Sequence, residues 1–318
     1  MPHLRDIKID FWCAKLLKKA HISRMKLTMT TLLLPLLAAA SLTCAAAERP
    51  DSLRVMFWNA ENFFDYRSPS RPEGLTRGRF FRKCNALSKM VLRFADRFGS
   101  LPDVVALAEV ENLYVLRSLV GSTLLRKLDY EIVHYDSPDH RGIDCALLYR
   151  RSTLELKGSR PVHVRDSSGR VLPTRDVLLA DFGDWSLAVN HHPSKIGGKT
   201  DRRQAAFATM LAAVDSLLDA GSPAVVAVGD FNDSLWGKGS GGTIKYNGEW
   251  EKIDGFFLFG EGMDVQEQVF AEKELLEEDR AFGGEKPRRT FIGPRYNGGV
   301  SDHLPIVLTI TFRNAVGY

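Results

Sequence analysis

The sequence lacks the short motifs that mark several common types of hydrolase. It contains no G-x-S-x-G, no G-x-x-x-x-G-K-[ST] and no His-Glu-x-x-His. The first absence excludes a serine nucleophile on an elbow turn, the second a P-loop, and the third a helical zinc site of the protease type. Any hydrolytic chemistry must therefore rest on other residues.

The sequence also lacks an apolar run long enough to span a membrane. The apolar segment in "MKLTMTTLLLPLLAAASLTCAAAE" is short, and it ends at a small-residue cleavage pattern, Ala45-x-Ala47. This layout predicts a secretory signal peptide over residues 1–47, with an unused start upstream of Met25 favoured over a long basic n-region. We therefore expect residues 48–318 to be exported, to the periplasm or the cell exterior.

Cysteine is rare, with four residues among 318. Cys44 lies where a lipid can be attached after a signal segment, which would tether the protein to a membrane. The preceding "SLT" departs from the usual lipidation pattern, so simple export is favoured. Cys84 and Cys145 follow the signal segment, and each lies inside an apolar pattern. We expect two buried thiols rather than a disulfide.

No excess of positive charge remains once the signal segment is removed. Residues 1–47 hold seven Lys or Arg and two Asp or Glu, a net of +5, and the whole chain is +4, so the remainder is −1. The basic character of the whole chain is therefore no evidence for nucleic-acid binding. A polyanion would have to bind through a local patch.

From residue 53 onward, short apolar runs alternate with helical patterns. The strand-length runs are "LRVMFW", "DVVALA", "CALLYR", "WSLAVN", "AVVAVG", "KIDGFFLF" and "LPIVLTITF". Helical periodicity marks "GRFFRKCNALSKMVLRFADRF", "NLYVLRSLVGSTLLRKL" and "DRRQAAFATMLAAVDSLLDA", the last with Asp201 as its predicted N-cap. The alternation predicts one layered α/β domain in which helices cover the sheet faces.

Polar side chains lie at one end of five of these runs. They are Asn59, Glu109, the group Asn190-His191-His192, the pair Asp230 and Asn232, and the pair Asp302 and His303. Each alone fits an ordinary turn, but ligands of layered α/β proteins bind at strand ends. Oxygen donors without cysteine favour a hard cation such as Mg²⁺, Mn²⁺ or Ca²⁺, and histidines suit proton transfer. The set predicts metal-assisted attack by water, most naturally on phosphorus.

Seven segments in order resemble the motifs of the endonuclease/exonuclease/phosphatase family. They are "FWNAENFFD", "PDVVALAEVEN", "RGIDCALLYR", "VNHHPSK", "VGDFND", "WEKIDGFFLF" and "GVSDHLPI". The resemblance implies a deoxyribonuclease I-like four-layer α/β sandwich, with two central β-sheets between helices and a site where both sheets open. It also implies a divalent-metal-dependent hydrolase whose partner is nucleic acid or another phosphodiester, with no stable protein partner.

For the metal and the phosphate, the resemblance assigns five positions. Glu109 corresponds to the family's metal-binding glutamate, and Asp302 lies near the metal. Asn59 belongs near both the metal and the phosphate, and Asn232 is expected to hold a phosphate oxygen. His191 takes the place of a phosphate-binding histidine or tyrosine, and both it and Asn232 are counted among the expected catalytic residues.

For proton transfer, the resemblance assigns three catalytic positions. Asp230 is expected to orient or deprotonate the attacking water. His303 would bind phosphate or move a proton, and Asp254 would orient it and hold its tautomer. Phe231 should turn into the core, because neighbouring residues of an extended segment point to opposite sides.

Basic side chains around this centre are weaker candidates for clamping phosphate oxygens. For each of them, a solvated surface charge is an equally good explanation. The candidates are Arg141 with the neighbouring Asp144, Lys195, Arg203 and Arg289. His192 is expected to be structural.

Three functions remain open, with a secreted nuclease favoured because "NFFD" and "EVEN" resemble the extracellular nucleases of the family. The second is a lipid or sugar phosphate hydrolase, such as a sphingomyelinase or a phosphatase. We expect no exposed aromatic or apolar hairpin for membrane contact, which weakens the lipid version, whereas the near-neutral charge weakens the nuclease version. The third is a binding module that lost the reaction, which the complete set of motifs disfavours.

Overall fold

The computed structural model describes residues 52–194, 200–233 and 241–313. Three α-helices lie in this part of the chain: α1 (Arg77–Phe98), α2 (Leu113–Ser122) and α3 (Thr200–Asp219). Within the described ranges, no helix has both the length and the apolar character that crossing a membrane requires. The predicted signal peptide, Cys44 and Lys195 lie outside the described residues.

The strands of the described residues are short and numerous. In chain order they are β1 (Ser52–Phe63), β2 (Val104–Val110), β3 (Tyr130–His134), β4 (Asp144–Arg150), β5 (Gly158–Val162), β6 (Val177–Asp181), β7 (Ser186–His191), β8 (Ala224–Asp230), β9 (Ile244–Tyr246), β10 (Glu249–Glu251), β11 (Asp254–Gly260), β12 (Met263–Val269), β13 (Leu276–Glu278), β14 (Glu285–Pro287), β15 (Phe291–Ile292), β16 (Arg295–Tyr296) and β17 (Ile306–Phe312).

Two mixed sheets form the centre of the molecule. One has six strands in the order β12-β17-β1-β2-β4-β3, and the other has five in the order β11-β8-β7-β6-β5. Each sheet contains one parallel pair, β1 with β2 and β7 with β8, and its other pairs are antiparallel. Three further pairs, β9–β10, β13–β14 and β15–β16, are small hairpins outside the sheets.

Side-chain alternation along β1 explains how the layers pack. Val55 and Phe57 face the second sheet, whereas Met56 and Trp58 face α1 and α2. Both faces of the strand are therefore buried, which is why its apolar run is continuous. A third core, which includes Phe231, joins the second sheet to α3. The order of layers is helices, sheet, sheet, helix, which confirms the predicted four-layer α/β sandwich.

The three predicted helices form, with differences at their ends. Thr76 caps α1, since its hydroxyl accepts from the backbone N–H of Arg79 at 3.3 Å, and Gly99 ends it with a φ of 76°. The second predicted helix stops at Ser122 and continues as a 3₁₀ helix. The prediction of Asp201 as an N-cap is wrong, because α3 begins at Thr200 and places Asp201 in its first turn, where the helix dipole favours a carboxylate.

The two cysteines of the described residues lie in different layers. Cys84, on α1, is buried in the core beneath the helices, and Cys145, on β4, is buried between the sheets. Both are free thiols. The expectation of two buried thiols rather than a disulfide is confirmed.

Candidate active site

The second sheet places three of the predicted residues side by side. His191 pairs with Asp230 across the parallel strands β7 and β8, and Asp254 pairs with Asp230 across β8 and β11. The side-chain amide of Asn59, on β1 of the first sheet, donates to Asp230 Oδ2 at 3.0 Å. The site therefore lies at the edge where the two sheets meet.

Backbone irregularities aim further side chains at this edge. Glu61, Glu109 and Asn232 have positive φ values of 45°, 62° and 49°, which residues other than glycine rarely adopt. The β1–β2 and β2–β4 pairings are irregular beside Glu61 and Glu109. β1 thus continues through a bulge to Phe63 instead of ending at Asn59, and such bulges redirect side chains next to active sites.

Asp230 is buried and held by two donors. Its Oδ2 accepts from the amide of Asn59 at 3.0 Å, and its Oδ1 accepts from the backbone N–H of Asn232 at 2.9 Å. Burial, with the nearby charge of Asp254, raises the pKa of Asp230 to about 7, although His303 and the two donors oppose the shift. A carboxylate that titrates near neutral pH is suited to accept a proton from water.

His303 is fixed by Asp254 and by its own turn. Its Nδ1 lies 2.8 Å from Asp254 Oδ2, and its Nε2 lies 3.9 Å from Asp230 Oδ2. Its backbone N–H donates to the hydroxyl of Ser301, which in turn donates to the carbonyl of Asn59 at 2.6 Å. Burial disfavours the charged imidazole, but the carboxylates of Asp254 and Asp230 outweigh it and raise the pKa of His303 well above its usual value.

Glu61 is a further acidic residue of the site, although no sequence motif indicated it. Its Oε2 accepts from the backbone N–H of Thr290 at 2.7 Å, and its Oε1 lies 3.3 Å from Arg289 Nε. Arg289 also reaches Asp302 Oδ2 at 2.5 Å. Arg289 therefore joins two carboxylates of the site instead of projecting as a solvated surface charge.

A buried lysine supports the same group. Lys83, on α1, donates to the carbonyl of Glu61 at 2.6 Å and to Thr290 Oγ1 at 2.8 Å. Its burial lowers the pKa of the amine, although Glu61, Asp302 and Glu109 oppose the shift. It was not predicted either, yet the signal was present, since Lys83 interrupts the apolar face of the helix.

The carboxylates near Glu109 fit a hard divalent cation. Burial, followed by the charge of Asp302, raises the pKa of Glu61 to about 7, although Lys83 and Arg289 oppose the shift. Glu109 Oε1 has only long contacts in the described chain, 3.6 Å to Arg141 Nη2 and 3.8 Å to His191 Nε2. Glu109, Glu61 and Asp302 are therefore the residues that would hold a cation such as Mg²⁺.

Two compact groups of side chains that could bind a metal occur in the described residues. In two groups, three ligand atoms lie within 4.8 Å of one another, Asp230-Asp254-His303 and His134-Asp136-Asp144, and neither contains Glu109 or Asp302. The first is the proton-transfer group, in which His303 already bonds Asp254. In the second, both oxygens of Asp144 are occupied, Oδ1 by the backbone N–H and hydroxyl of Ser137 and Oδ2 by His134 Nε2 at 3.2 Å. Asp144 therefore has a structural role and does not help to clamp phosphate as the sequence suggested.

His191 is buried between the carboxylates of Asp230 and Glu109. Its Nε2 lies 3.7 Å from Asp230 Oδ2 and 3.8 Å from Glu109 Oε1, and its Nδ1 is buried without a hydrogen-bond partner among the described residues. Burial, followed by the charges of Arg175 and Arg141, lowers the pKa of His191 well below its usual value. A neutral imidazole therefore faces the substrate position.

Arg175, also missed by the sequence analysis, holds the backbone beside this histidine. Its buried guanidinium donates to the carbonyl of His191 at 3.2 Å and to the carbonyl of His192 at 2.6 Å. Asn232 donates to the same carbonyl of His192 at 2.9 Å. Because these contacts are made with a distant part of the backbone, no local sequence pattern indicates them.

Several predicted residues make mainly internal contacts. Asn59 uses both polar atoms inside the protein, since its Oδ1 also accepts from the N–H of Glu61 at 2.9 Å. Its role here is to orient Asp230, and its metal and phosphate contacts stay predictions, as does the phosphate contact of Asn232. Arg203 donates to the carbonyl of Ser194 at 3.3 Å.

His192 and Phe231 pack together in the core, as expected. The ring of His192 lies 5.1 Å from that of Phe231, at an angle of 86°. Burial, followed by the charges of Arg175 and Arg203, lowers the pKa of His192 to about 3. The side chain is therefore a neutral core residue.

Comparison with known proteins agrees with this architecture. A model of the endonuclease/exonuclease/phosphatase family matches residues 54–244. The human Nocturnin catalytic domain with bound sulfate anion is 15% identical, with a TM-score of 0.55 over 84% of this chain and 96% of that chain. A family protein from Bacteroides thetaiotaomicron is 16% identical, with a TM-score of 0.53 over 83% and 99%. The D. rerio TDP2 complexed with single strand DNA product is 16% identical, with a TM-score of 0.50 over 82% and 100%. No curated protein matches the sequence.

Proposed function

Because the chain belongs to the endonuclease/exonuclease/phosphatase family, we propose that it is an exported, divalent-metal-dependent phosphodiesterase that cleaves nucleic acid. Family members are typically hydrolases of phosphate esters. The observation that carries the proposal is the group Asp254–His303–Asp230 at the edge where both sheets meet. Export, with residues 48–318 as the mature domain, rests on the signal-like segment of the sequence.

In the proposed mechanism, Asp230 and His303 carry out the two proton transfers of the reaction. Asp230, oriented by Asn59 and the N–H of Asn232, accepts a proton from the attacking water. His303, charged because Asp254 raises its pKa, donates from Nε2 to a phosphate oxygen or the leaving group. A cation held by Glu109, Glu61 and Asp302 would supply charge stabilisation to the phosphoryl oxygens. Neutral His191 offers its Nε2 to the substrate.

Nucleic acid is favoured over other phosphate esters on two grounds. The segments "NFFD" and "EVEN" resemble those of extracellular nucleases; the first follows Glu61 and the second begins with Glu109. Among proteins of similar fold, D. rerio TDP2 was crystallised with a single strand DNA product, which demonstrates that this fold can hold such a strand. We carry that ligand class over to this chain as part of the proposal.

A lipid phosphate hydrolase is the second candidate, because the expected absence of exposed aromatic hairpins is wrong. Tyr246 is 63% exposed at the tip of the β9–β10 hairpin, and Phe282 is 61% exposed between β13 and β14. The two hairpins touch, since a Cβ at Gly248 would lie 2.9 Å from Phe282 Cβ. Exposed aromatic rings can enter a membrane interface, so phospholipid must be tested beside nucleic acid.

The proposed function can be tested with supercoiled plasmid. We expect Mg²⁺-dependent nicking that EDTA abolishes and that added Mg²⁺ restores, because the carboxylates of the site cannot stabilise a phosphoryl group without a cation. Glu109→Gln should require more Mg²⁺ for half-maximal rate, whereas Glu131→Gln, at an exposed residue of β3 on the sheet edge, should not. Nicking unaffected by EDTA would contradict the metal assignment, and no nicking by folded protein would direct the search to phospholipids and small esters.

The pH profile of kcat/KM follows from the raised pKa values of Asp230 and His303. Since Asp230 must be ionised to accept a proton and its pKa is raised to about 7, activity should increase as pH rises through about 7. Since His303 must stay charged and its pKa is well above its usual value, activity should fall only at alkaline pH. A rate profile at saturating Mg²⁺ measures both limbs. A profile that is flat from pH 5 to pH 8 would remove Asp230 from the role of base.

A further inference from the structure

The first turns of α1 carry positive charge without carboxylate partners in the described chain, whereas cations farther along the helix are paired. Residues 74–95 and 286–301 contain no Asp or Glu. Farther along α1, Lys89 and Arg93 pair with Glu274, at 3.4 Å and 2.5 Å. In the described chain, Arg79 and Arg82 have no carboxylate within 4.0 Å, and the same holds for Arg295 on β16.

Two of these arginines, Arg79 and Arg82, converge on one aromatic ring. The guanidinium carbons of Arg79 and Arg82 lie 4.6 Å and 5.9 Å from the ring centre of Tyr296, whose neighbour in the chain is Arg295. Arg79 is also fixed by a 2.6 Å hydrogen bond to the carbonyl of Gly74. We name Arg79, Arg82, Arg295 and Tyr296 the arginine patch.

The arginine patch is continuous with the candidate active site. The ring of Phe291 lies 5.5 Å from that of Tyr296, and Phe291 follows Thr290, which Lys83 of α1 contacts. The preceding residue is Arg289, which bonds the site carboxylates Glu61 and Asp302. Residues 289–296 and helix α1 therefore contribute side chains both to the edge of the site and to the arginine patch.

We infer that the arginine patch binds the phosphodiester backbone of the nucleic-acid strand whose scissile phosphate occupies the site. The inference rests on the proposed function and names the surface that would hold the rest of the substrate. Guanidinium groups without carboxylate partners are suited to phosphate oxygens, and only a polymer brings further phosphates beyond the one being cleaved. Because the mature chain has a net charge of −1, the patch stands out against a background that gives a polyanion no general attraction.

A membrane is the less suitable partner for this surface. The most exposed aromatic side chains, Tyr246 and Phe282, lie on other hairpins, and Tyr296 is covered by Arg79. One carboxylate, that of Glu73, is exposed in the segment that precedes α1, and it slightly opposes an anion of either kind. The distinction between strand and membrane is left to the experiment.

Binding is measured in EDTA by anisotropy of a labelled single-stranded oligonucleotide, so that no cleavage occurs. The double variant Arg79→Ala/Arg82→Ala should raise Kd about tenfold or more at low salt, and it should reduce the slope of log K against log salt by about 1.4, or about 0.7 per lost phosphate contact. The matched control is Lys89→Ala/Arg93→Ala, which removes the same charge from the same helix. It should change Kd less than about twofold, since those cations are already paired.

A second double variant tests whether weaker binding results from lost charge and not from a change in the fold. Arg79 bonds a backbone carbonyl, whereas Arg82 makes only a long contact with the ring of Tyr296 and Arg295 is exposed. Arg82→Ala/Arg295→Ala should therefore reproduce the weaker binding without a change in melting temperature. With Mg²⁺, both patch variants should raise KM for the oligonucleotide and leave the hydrolysis of bis(p-nitrophenyl) phosphate unchanged.

The outcomes separate this inference from the proposed function. If both patch variants bind the oligonucleotide with wild-type affinity, the inference about the patch is wrong. It is also wrong if the variants lose as much activity on bis(p-nitrophenyl) phosphate as on the oligonucleotide, because the patch would then act through the catalytic centre. Loss of binding to phosphatidylglycerol vesicles with oligonucleotide binding intact assigns the surface to membranes and also overturns it. If the wild type cleaves no phosphodiester yet binds the oligonucleotide through the patch, the proposed function fails and the inference about the patch stands.

Discussion

Asparagine in place of Asp230 is expected to lower kcat by about 10²- to 10⁴-fold, the range by which general base catalysis accelerates reactions. The change keeps the shape of the side chain but removes the group that accepts the proton. The single oxygen of the asparagine can accept from only one of the two donors, the amide of Asn59 or the N–H of Asn232. Single-turnover cleavage at saturating Mg²⁺ measures the loss directly. A variant that keeps most of its activity would show that water is deprotonated elsewhere.

The same substitution has a diagnostic effect on stability. Because the pKa of folded Asp230 is about 7 and that of an unfolded aspartate is about 4, the folded protein retains a proton that the unfolded chain releases between these values. The contribution of Asp230 to the free energy of unfolding of the wild type therefore falls as pH rises from about 4 to about 7. In EDTA, the melting temperature of Asp230→Asn should exceed that of the wild type above pH 7, and the difference should close toward pH 4.

Asp181→Asn is the matched control for both measurements. Asp181 lies at the opposite end of the same sheet, where it pairs with Ser186 at the turn between β6 and β7. The substitution also replaces an aspartate with asparagine at a strand end, but it touches no residue of the site. Its kcat should equal that of the wild type, so a comparable loss there would indicate a general effect on the sheet.

Most of the central strands and the helices could be predicted because their signals are local, although the buried central strand β6 was not among the predicted runs. β1, β2, β7 and β8 are buried on both faces, so each is a continuous apolar run that needs no partner to be recognised. The edge strands were missed for the opposite reason. β12 reads "MDVQEQV" and alternates buried and solvated residues, and β5 carries Pro161, which only an edge strand tolerates.

The site was predictable only to the extent that its residues end strands. Asp230, Asp254 and His303 come together as the motifs implied, since strand pairing fixes their register. Glu61 was missed although it lies two residues after Asn59, because only the bulge of β1 turns it toward the site. Arg175 had no motif signal, since its burial is explained by the carbonyls of His191 and His192, at the end of the neighbouring strand β7, and by Asp139.

Asp254→Asn is expected to lower kcat by about 10⁴-fold, the cost of an asparagine that holds a catalytic histidine in the wrong tautomer. Asp254 Oδ2 lies 2.8 Å from His303 Nδ1 and keeps the proton-bearing Nε2 directed at the site. The asparagine also removes the charge that raises the pKa of His303, so the alkaline limb of the pH profile should move to lower pH. This shift is a readout that a merely structural change would not produce.

The combination of Asp254→Asn with His303→Ala tests whether the two residues act as one unit. If Asp254 works only through His303, the double variant should be no slower than His303→Ala alone, since effects within a catalytic unit do not add. The alternative has a physical basis, because Asp254 Oδ1 is buried without a hydrogen-bond partner in the described chain. Losses that multiply would mean that this oxygen acts directly on a cation or the substrate, and the orienting role of Asp254 would then be wrong.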